Sequence, residues 1–563
     1  MSTHPSPRNL LAQKACLRAI AVVGRVRDPA HLVNDIGGWP KTSHCDAKGV
    51  QFEHTSSHRY WRIFTQRLAK PLSLSPVYVD DFAQLQTPDY TMADPKQHVF
   101  ALSPIDMLMP RMHVPKLLYF ASTAKPATVL SNLQAALALT IKNIPILAGS
   151  VSFSKREEDQ KGSLSVQSPY FIAEDIISSN DLRNEYDYEQ LRAADFPTNG
   201  IAFDAIAGNL FGKAADSAPV MIAQANFLRG GLLLFFAVHH CVFDEMGLFN
   251  VMKVWAAHCR GDIDANFVGP QWFERTPLMQ GAGTGRLEDH PEYGLSPEGA
   301  IVRPTEDPSA FYPISENVDS AVFFLSDESL ARLKSAATMP VPDIAEGKAD
   351  IAKISTNDAL TALFWCCITS ARIADSTNSP EKIVARFAMA MNGRSHLRPP
   401  MPPDYCGNVV LIAKTASRAN DLLSIKRTCL TKASLLVRKS LNVVDDPYIR
   451  DVIQMVSNVD DMGRLASRRR PAIEHSLGCS TWARQPYYSL DWGSTIGGVC
   501  ERVRWRRLKT DGLFIIFPRL QNTDTSRNKS GGGVEVQLGL RSDHLRTLMK
   551  DPLFTEFAQW RCN

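Results

Sequence analysis

The chain has 563 residues, too many for one ordinary hydrophobic core, so more than one is expected. Hydrophobic residues make up 44% and charged residues 21%, the balance of a globular protein and not of a disordered or fibrous one. A net charge of +4 is too weak to point to nucleic acid or an anionic membrane surface, and no apolar run approaches the roughly 18 residues of a membrane span.

Residues 1–91 mix short apolar pieces with Gly, Pro, His and Ser and hold no period, so they read as a poorly defined or spurious N-terminal extension. Arg8, Lys14, Arg18, Arg25 and Arg27 precede the first acid, Asp28, a composition with a faint likeness to a mitochondrial transit segment. A compact α/β pattern then sets in. The spacing predicts an amphipathic helix over 127–148, closed by Asn143-Ile144-Pro145. Residues 150–153 and 163–167 alternate like an antiparallel pair. Residues 219–228 and 231–238 read as two more strands, joined by Arg229-Gly230-Gly231. The stretch 261–313 is rich in Pro, Gly and charge and reads as a crossover. Further on come a strand at 321–325 and a helix at 327–337. A strongly apolar helix follows at 356–374, capped by Ser355 or Thr356, then a buried strand at 383–391. Arg468-Arg469-Arg470 and residues 522–533 read as surface loops, the run Arg502, Arg504, Arg506 and Arg507 as a solvated strand face, with charge-assisted contact to the phosphates of a CoA ligand as the alternative, and 543–561 as a closing helix. The domain expectation is therefore an extension at 1–91, a first domain at 92–260, a linker at 261–318 and a second domain at 319–563. The 11 cysteines lack CxxC spacing, Cys366 and Cys367 being adjacent, so they read as reduced thiols of a cytoplasmic protein, a mitochondrial address being the alternative.

The chemistry concentrates at His239-His240-Cys241-Val242-Phe243-Asp244, directly after the apolar strand 231–238. A strand ending in two histidines and an aspartate delivers them to a sheet edge, where pockets form. A neutral imidazole takes a proton from an alcohol or amine near pH 7 and returns it to a leaving group. Asp244 can fix the turn, pair with a cation or set the ring's tautomer. Neighbouring histidines on a strand point to opposite faces, which disfavours one shared metal ion, and no metal is expected. GxSxG, GxxxxGK[ST] and strand-borne GxGxxG motifs are absent, so a serine hydrolase or nucleotide enzyme has no positive signal.

These residues resemble the HHxxxD motif of BAHD-type acyl-CoA-dependent acyltransferases and their fungal trichothecene acetyltransferase-like relatives. The same six-residue pattern also occurs in condensation domains of peptide synthetases. STWARQPYYSLDWG (480–493) resembles the family's distal SW…DFG block, at a similar distance from the His motif. LSPID (102–106), NIPILAG (143–149), STNDALTALFW (355–365), NGR (392–394), Pro399-Pro400 and YCGN (405–408) resemble further blocks in order. The likeness runs from Asp94 to the C-terminus, and Met92 stands where such proteins often begin.

The resemblance implies a two-domain, chloramphenicol acetyltransferase-like α/β fold of mixed sheets and helices, with an active-site channel between the domains. It implies O-acyl, and foremost acetyl, transfer from acyl-CoA to a hydroxyl of a terpenoid, polyketide or alkaloid through a ternary complex, in a monomer without a bound cofactor. His240 matches the general base. Asp244 matches the structural aspartate, with Arg394 as its partner. Ser480 and Trp482 match positions facing the acyl group or the oxyanion, and Asp491, Trp492 and Gly493 match the block that shapes the channel. Glu245 stands where the family has Gly, which leaves the turn after Asp244 open. Trp492 replaces Phe and His396 a second Arg. Two alternatives stand beside this reading: a condensation-type enzyme with a carrier-bound donor, and a non-catalytic relative of the fold.

Overall fold

The strand GLLLFFAVH has all nine residues buried. Leu232, Leu234, Phe236 and Val238 join one hydrophobic core, and the intervening Leu233, Phe235 and Ala237 join another. A strand packed on both faces needs a continuous apolar run, which is why no polar alternation appears in its sequence.

This computed structural model describes residues 98–262, 268–300, 302–339, 353–374, 376–423, 428–467, 475–521 and 531–563. The readings of residues 1–91, of Arg468-Arg469-Arg470 and of most of 522–533 lie outside them. Residues 94–563 group as one compact unit.

In chain order the first half supplies β1 (His98–Ala101), α1 (Pro104–Met107), β2 (His113–Ala121), α2 (Pro126–Asn143), β3 (Ser150–Phe153), β4 (Leu164–Ser168), β5 (Ile177–Asp181), β6 (Ser217–Pro219), β7 (Met221–Leu228), β8 (Gly231–His239) and α3 (Glu245–Cys259). The second half supplies β9 (Val318–Ser326), α4 (Asp327–Ala337), α5 (Thr356–Ile373), β10 (Val384–Asn392), β11 (Val410–Arg418), α6 (Thr428–Asn442), α7 (Asp446–Asn458), β12 (Ser476–Thr481), β13 (Arg502–Arg504), β14 (Leu513–Ile516), β15 (Gly533–Arg541), α8 (Ser542–Leu548), α9 (Pro552–Phe557) and β16 (Gln559–Cys562). Among the described residues a five-stranded sheet runs β13-β2-β8-β7-β5, and a seven-stranded sheet runs β11-β10-β12-β14-β15-β9-β16. A smaller sheet, β1-β4-β3-β6, flanks the first. The chain thus has the mixed α/β architecture expected. Strand β13 comes from the second half of the sequence yet pairs antiparallel with β2.

Helix α5 is capped by Ser355, whose side chain accepts from the Asp358 amide while Asp358 accepts from the Ser355 amide, the reciprocal box that starts helices. Two expectations need correction. The tail is not one helix: α8 ends before Asp551, which caps α9 from Pro552, and the chain finishes as the edge strand β16. Arg502 and Arg504 do not lie on a solvated face. They are buried, with Arg504 2.7 Å from a Glu535 carboxylate oxygen and Arg502 3.8 Å from the same oxygen. A carboxylate so deep in the structure keeps its charge only beside such cations.

Candidate active site

Strand β8 pairs with β2 so that His239 lies opposite His113. The two rings meet edge to face at 5.4 Å, and His239 Nε2 lies 3.1 Å from Thr305 Oγ1. Burial pushes the His239 pKa far down, so this ring stays neutral and belongs to the core. His240 is the next residue, and its side chain reaches a cavity of about 360 Å³. Its backbone is held on both sides. The amide donates to the Met112 carbonyl at 2.8 Å, and the carbonyl accepts from Asn408 Nδ2 at 2.9 Å.

Asn408 is itself fixed by Asp106, a fully buried carboxylate. Asp106 Oδ1 accepts from the Asn408 amide at 3.0 Å and side chain at 2.7 Å. Its Oδ2 accepts from the Ser103 amide, the Ser103 hydroxyl and Arg275 Nε, all within 2.9 Å. The sequence marks Asp106 and Asn408 only as parts of two blocks of resemblance. Their shared job, clamping the His240 backbone, depends on an approach of elements 302 residues apart.

Asp244 caps α3. Its Oδ1 accepts from the Gly247 amide and Arg394 Nη2, both at 2.9 Å, and its Oδ2 from Arg394 Nη1 at 2.7 Å and the Val409 amide at 3.1 Å. Arg394 also donates to the carbonyls of Tyr405 and Gly407. The pair is buried and satisfied from every side, so it fastens the start of α3 to the loop after β10. Gly247 allows this contact, since a Cβ there would stand 1.9 Å from the Cys406 carbonyl oxygen. The turn left open by the sequence resolves simply. Asp244 is extended, Glu245 begins α3, and no left-handed conformation falls on Glu245.

Glu245 faces the cavity wall and forms an ion pair with Lys116 Nζ at 2.6 Å while accepting from the Tyr487 hydroxyl at 2.7 Å. Lys116 is wholly buried, and its ammonium sits 3.0 Å from the centroid of the Trp482 ring, which stacks on Trp505. Burial lowers the Lys116 pKa to about 8 against the pull of Glu245, and burial raises that of Glu245. No sequence signal marks Lys116, a lone cation in an apolar strand.

Ser480 and Trp482, at the end of β12, line the same cavity as His240, as do Asp244, Glu245 and Arg394. Met391 and Asn392 of β10 and Val410 and Ile412 of β11 add to the wall. Asp491, Trp492 and Gly493 are not among its lining residues. Trp492 packs in the core against Phe120 and Trp255. Gly493, at φ +82, closes a turn in which its amide donates to Asp491 Oδ1 at 2.8 Å. Arg260, at the end of α3, donates to the Asp491 carbonyl. This block therefore braces α3 from its far end. The crossover contributes as well: Tyr293, Ser296, Val302, Glu306 and Phe311 line the cavity.

The sequence pattern described as the Transferase family matches residues 202–555. The chain belongs to the Transferase family. It is an acyltransferase of that family. A second pattern, the trichothecene 3-O-acetyltransferase-like N-terminal domain, matches residues 116–259. One relative, acyltransferase BOA11 of Botryotinia fuckeliana (strain B05.10), is 27% identical over 432 residues, covering 71% of this chain and 87% of the relative. Fumigaclavine B O-acetyltransferase easN of Aspergillus fumigatus is 25% identical, covering 81% and 96%. The structure of F. graminearum TRI101 complexed with Coenzyme A and Deoxynivalenol matches with a TM-score of 0.66 at 19% identity, over 82% of this chain and 99% of that one. At that identity the match establishes the shared fold. No described helix is long and apolar enough to cross a membrane.

Proposed function

We propose that this chain is an acyl-CoA-dependent O-acyltransferase that moves an acetyl group to a hydroxyl of a small secondary metabolite, with His240 as general base. The observation that carries the reading is the placement of His240, backbone-clamped and half-buried, on one cavity wall with Ser480 and Trp482. Relatives named as acyltransferases and O-acetyltransferases of alkaloids and terpenoids support the substrate class. Neighbouring structures with Coenzyme A bound support the donor.

In this mechanism acyl-CoA and acceptor occupy the cavity together. His240 takes the hydroxyl proton as the acceptor oxygen attacks the thioester carbonyl carbon. The tetrahedral oxyanion is stabilised by donors in the wall at Ser480 and Trp482. The C–S bond then breaks, the ester is released, and the imidazolium gives its proton to the CoA thiolate. Asp244 and Arg394 hold the turn and take no part in proton transfer. Asp491, Trp492 and Gly493 shape the site by bracing α3. One chain supplies every residue this scheme needs, which fits a monomer. We take residues 92–260 and 319–563 as the two domains, joined by 261–318 and preceded by an extension at 1–91. The nine buried cysteine thiols among the described residues fit the reducing cytoplasm.

The test is a screen of hydroxylated terpenoids, polyketides and alkaloids with acetyl-CoA, following release of free thiol. Acceptor-dependent thiol release is expected. A protein that binds no CoA species in calorimetry sinks the donor assignment.

A further inference from the structure

Beside the catalytic cavity lies a smaller one of about 60 Å³, between β13 and β14. The two cavities share Tyr312, Trp505 and Leu513 as lining, so only a few side chains separate them. The smaller one is lined by three cations, Arg506, Arg507 and Lys509. Two of them have acids. Lys509 Nζ lies 2.9 Å from Glu316, and Arg507 lies 3.2 Å from Asp319. Both pairs are on the surface, where such pairs hold weakly and exchange readily for another anion.

Arg506 differs. Its backbone carbonyl accepts from Gln537, and its guanidinium lies 5.7 Å from the Phe211 ring centroid. Among the described residues no carbonyl or carboxylate accepts a hydrogen bond from that guanidinium. Asp307 and Tyr312 act on it only through longer-range attraction, and burial pulls its pKa below the usual range. A half-buried guanidinium offers five N–H donors in a planar fork suited to phosphate or carboxylate. The space has room for about four waters, enough for one such group.

We infer that Arg506, with Lys509 beside it, forms an anion subsite that receives a phosphate or carboxylate of a ligand whose body lies in the catalytic cavity. If the anion is a phosphate of CoA, the subsite rests on the donor assignment proposed above. If it is a carboxylate on the acceptor, it does not. The subsite then selects acidic acceptors over their esters.

Calorimetric titration of the full chain and of Arg506→Met separates the two sources. CoA, dephospho-CoA and pantetheine test the phosphate arm, and salicylate with methyl salicylate tests the carboxylate arm. The variant is expected to weaken one arm by about tenfold or more, the worth of a charge-assisted bond. For the phosphate source, CoA weakens and pantetheine does not. For the carboxylate source, salicylate weakens and its ester does not. Arg506→Lys should recover part of either loss. An unchanged melting temperature in both variants shows that folding is not the cause. If Arg506→Met changes neither the CoA-to-pantetheine ratio nor the acid-to-ester ratio, the subsite is refuted. A wild-type chain that binds neither CoA nor pantetheine refutes the donor assignment instead, while the carboxylate arm still tests the subsite.

Discussion

Asp244 and Glu245 are adjacent carboxylates with adjacent cations, yet they sit in different kinds of site. Asp244 accepts four hydrogen bonds, two from Arg394 and two from backbone amides. Glu245 has two partners, Lys116 and Tyr487, and its side chain keeps 18% of its surface open towards the cavity. The first pair is saturated framework. The second is strained electrostatically, with the lysine pushed down and the glutamate pushed up by burial. The contrast teaches that nearness to the base does not make a charge catalytic. What matters is how many of its bonding positions the fold has already filled.

The largest effect should come from breaking the saturated pair. Asp244→Ala strands Arg394 in the interior and should cost about 3–5 kcal/mol, read by chemical denaturation and by folded yield. A stable but inactive variant would instead move Asp244 into the chemistry. The next effect is one of pH and extends the comparison to Glu535. Burial drives that carboxyl up, but Arg504 and Arg502 overcome it and hold it at about 2, against 4.5 for the free group. Its folded value is depressed, so its stabilisation is present above about pH 4.5 and is lost as pH falls towards 2. By linkage that is worth about 3 kcal/mol, and Glu535→Gln should flatten this part of the acid limb while destabilising the chain at neutral pH. The smallest loss belongs to the open pair. Lys116→Met leaves Glu245 to protonate and should cost about 1–3 kcal/mol. Adding Glu245→Gln should restore most of it, a coupling that a double-mutant cycle measures. Additive losses would show that the two charges do not interact.

The legible parts of the sequence were those set by local pattern. The strand 231–238 announced itself because both its faces are buried, and α5 because Ser355 and Asp358 cap it before an apolar run. Helices α6 and α7 went unread, although Asp445 before a Pro-bearing first turn is a start signal for α7. Long-range pairing accounts for the rest. Arg504 is spaced like a surface residue, and only the arrival of Glu535 on β15 explains its burial. Lys116 finds its acid at Glu245, and Asp106 finds Asn408, across distant stretches of chain. The crossover 261–318 reads as a linker because its Pro- and Gly-rich composition hides the side chains it turns into the cavity, Tyr293 and Phe311 among them.

The most direct test of the account is acceptor-dependent CoA release by His240→Ala, measured beside its melting temperature and its affinity for acetyl-CoA. Loss of a positioned general base predicts a fall in rate of about 10²–10⁴-fold with melting and donor affinity unchanged. A variant that keeps near-full activity would contradict the assignment of His240 as the base.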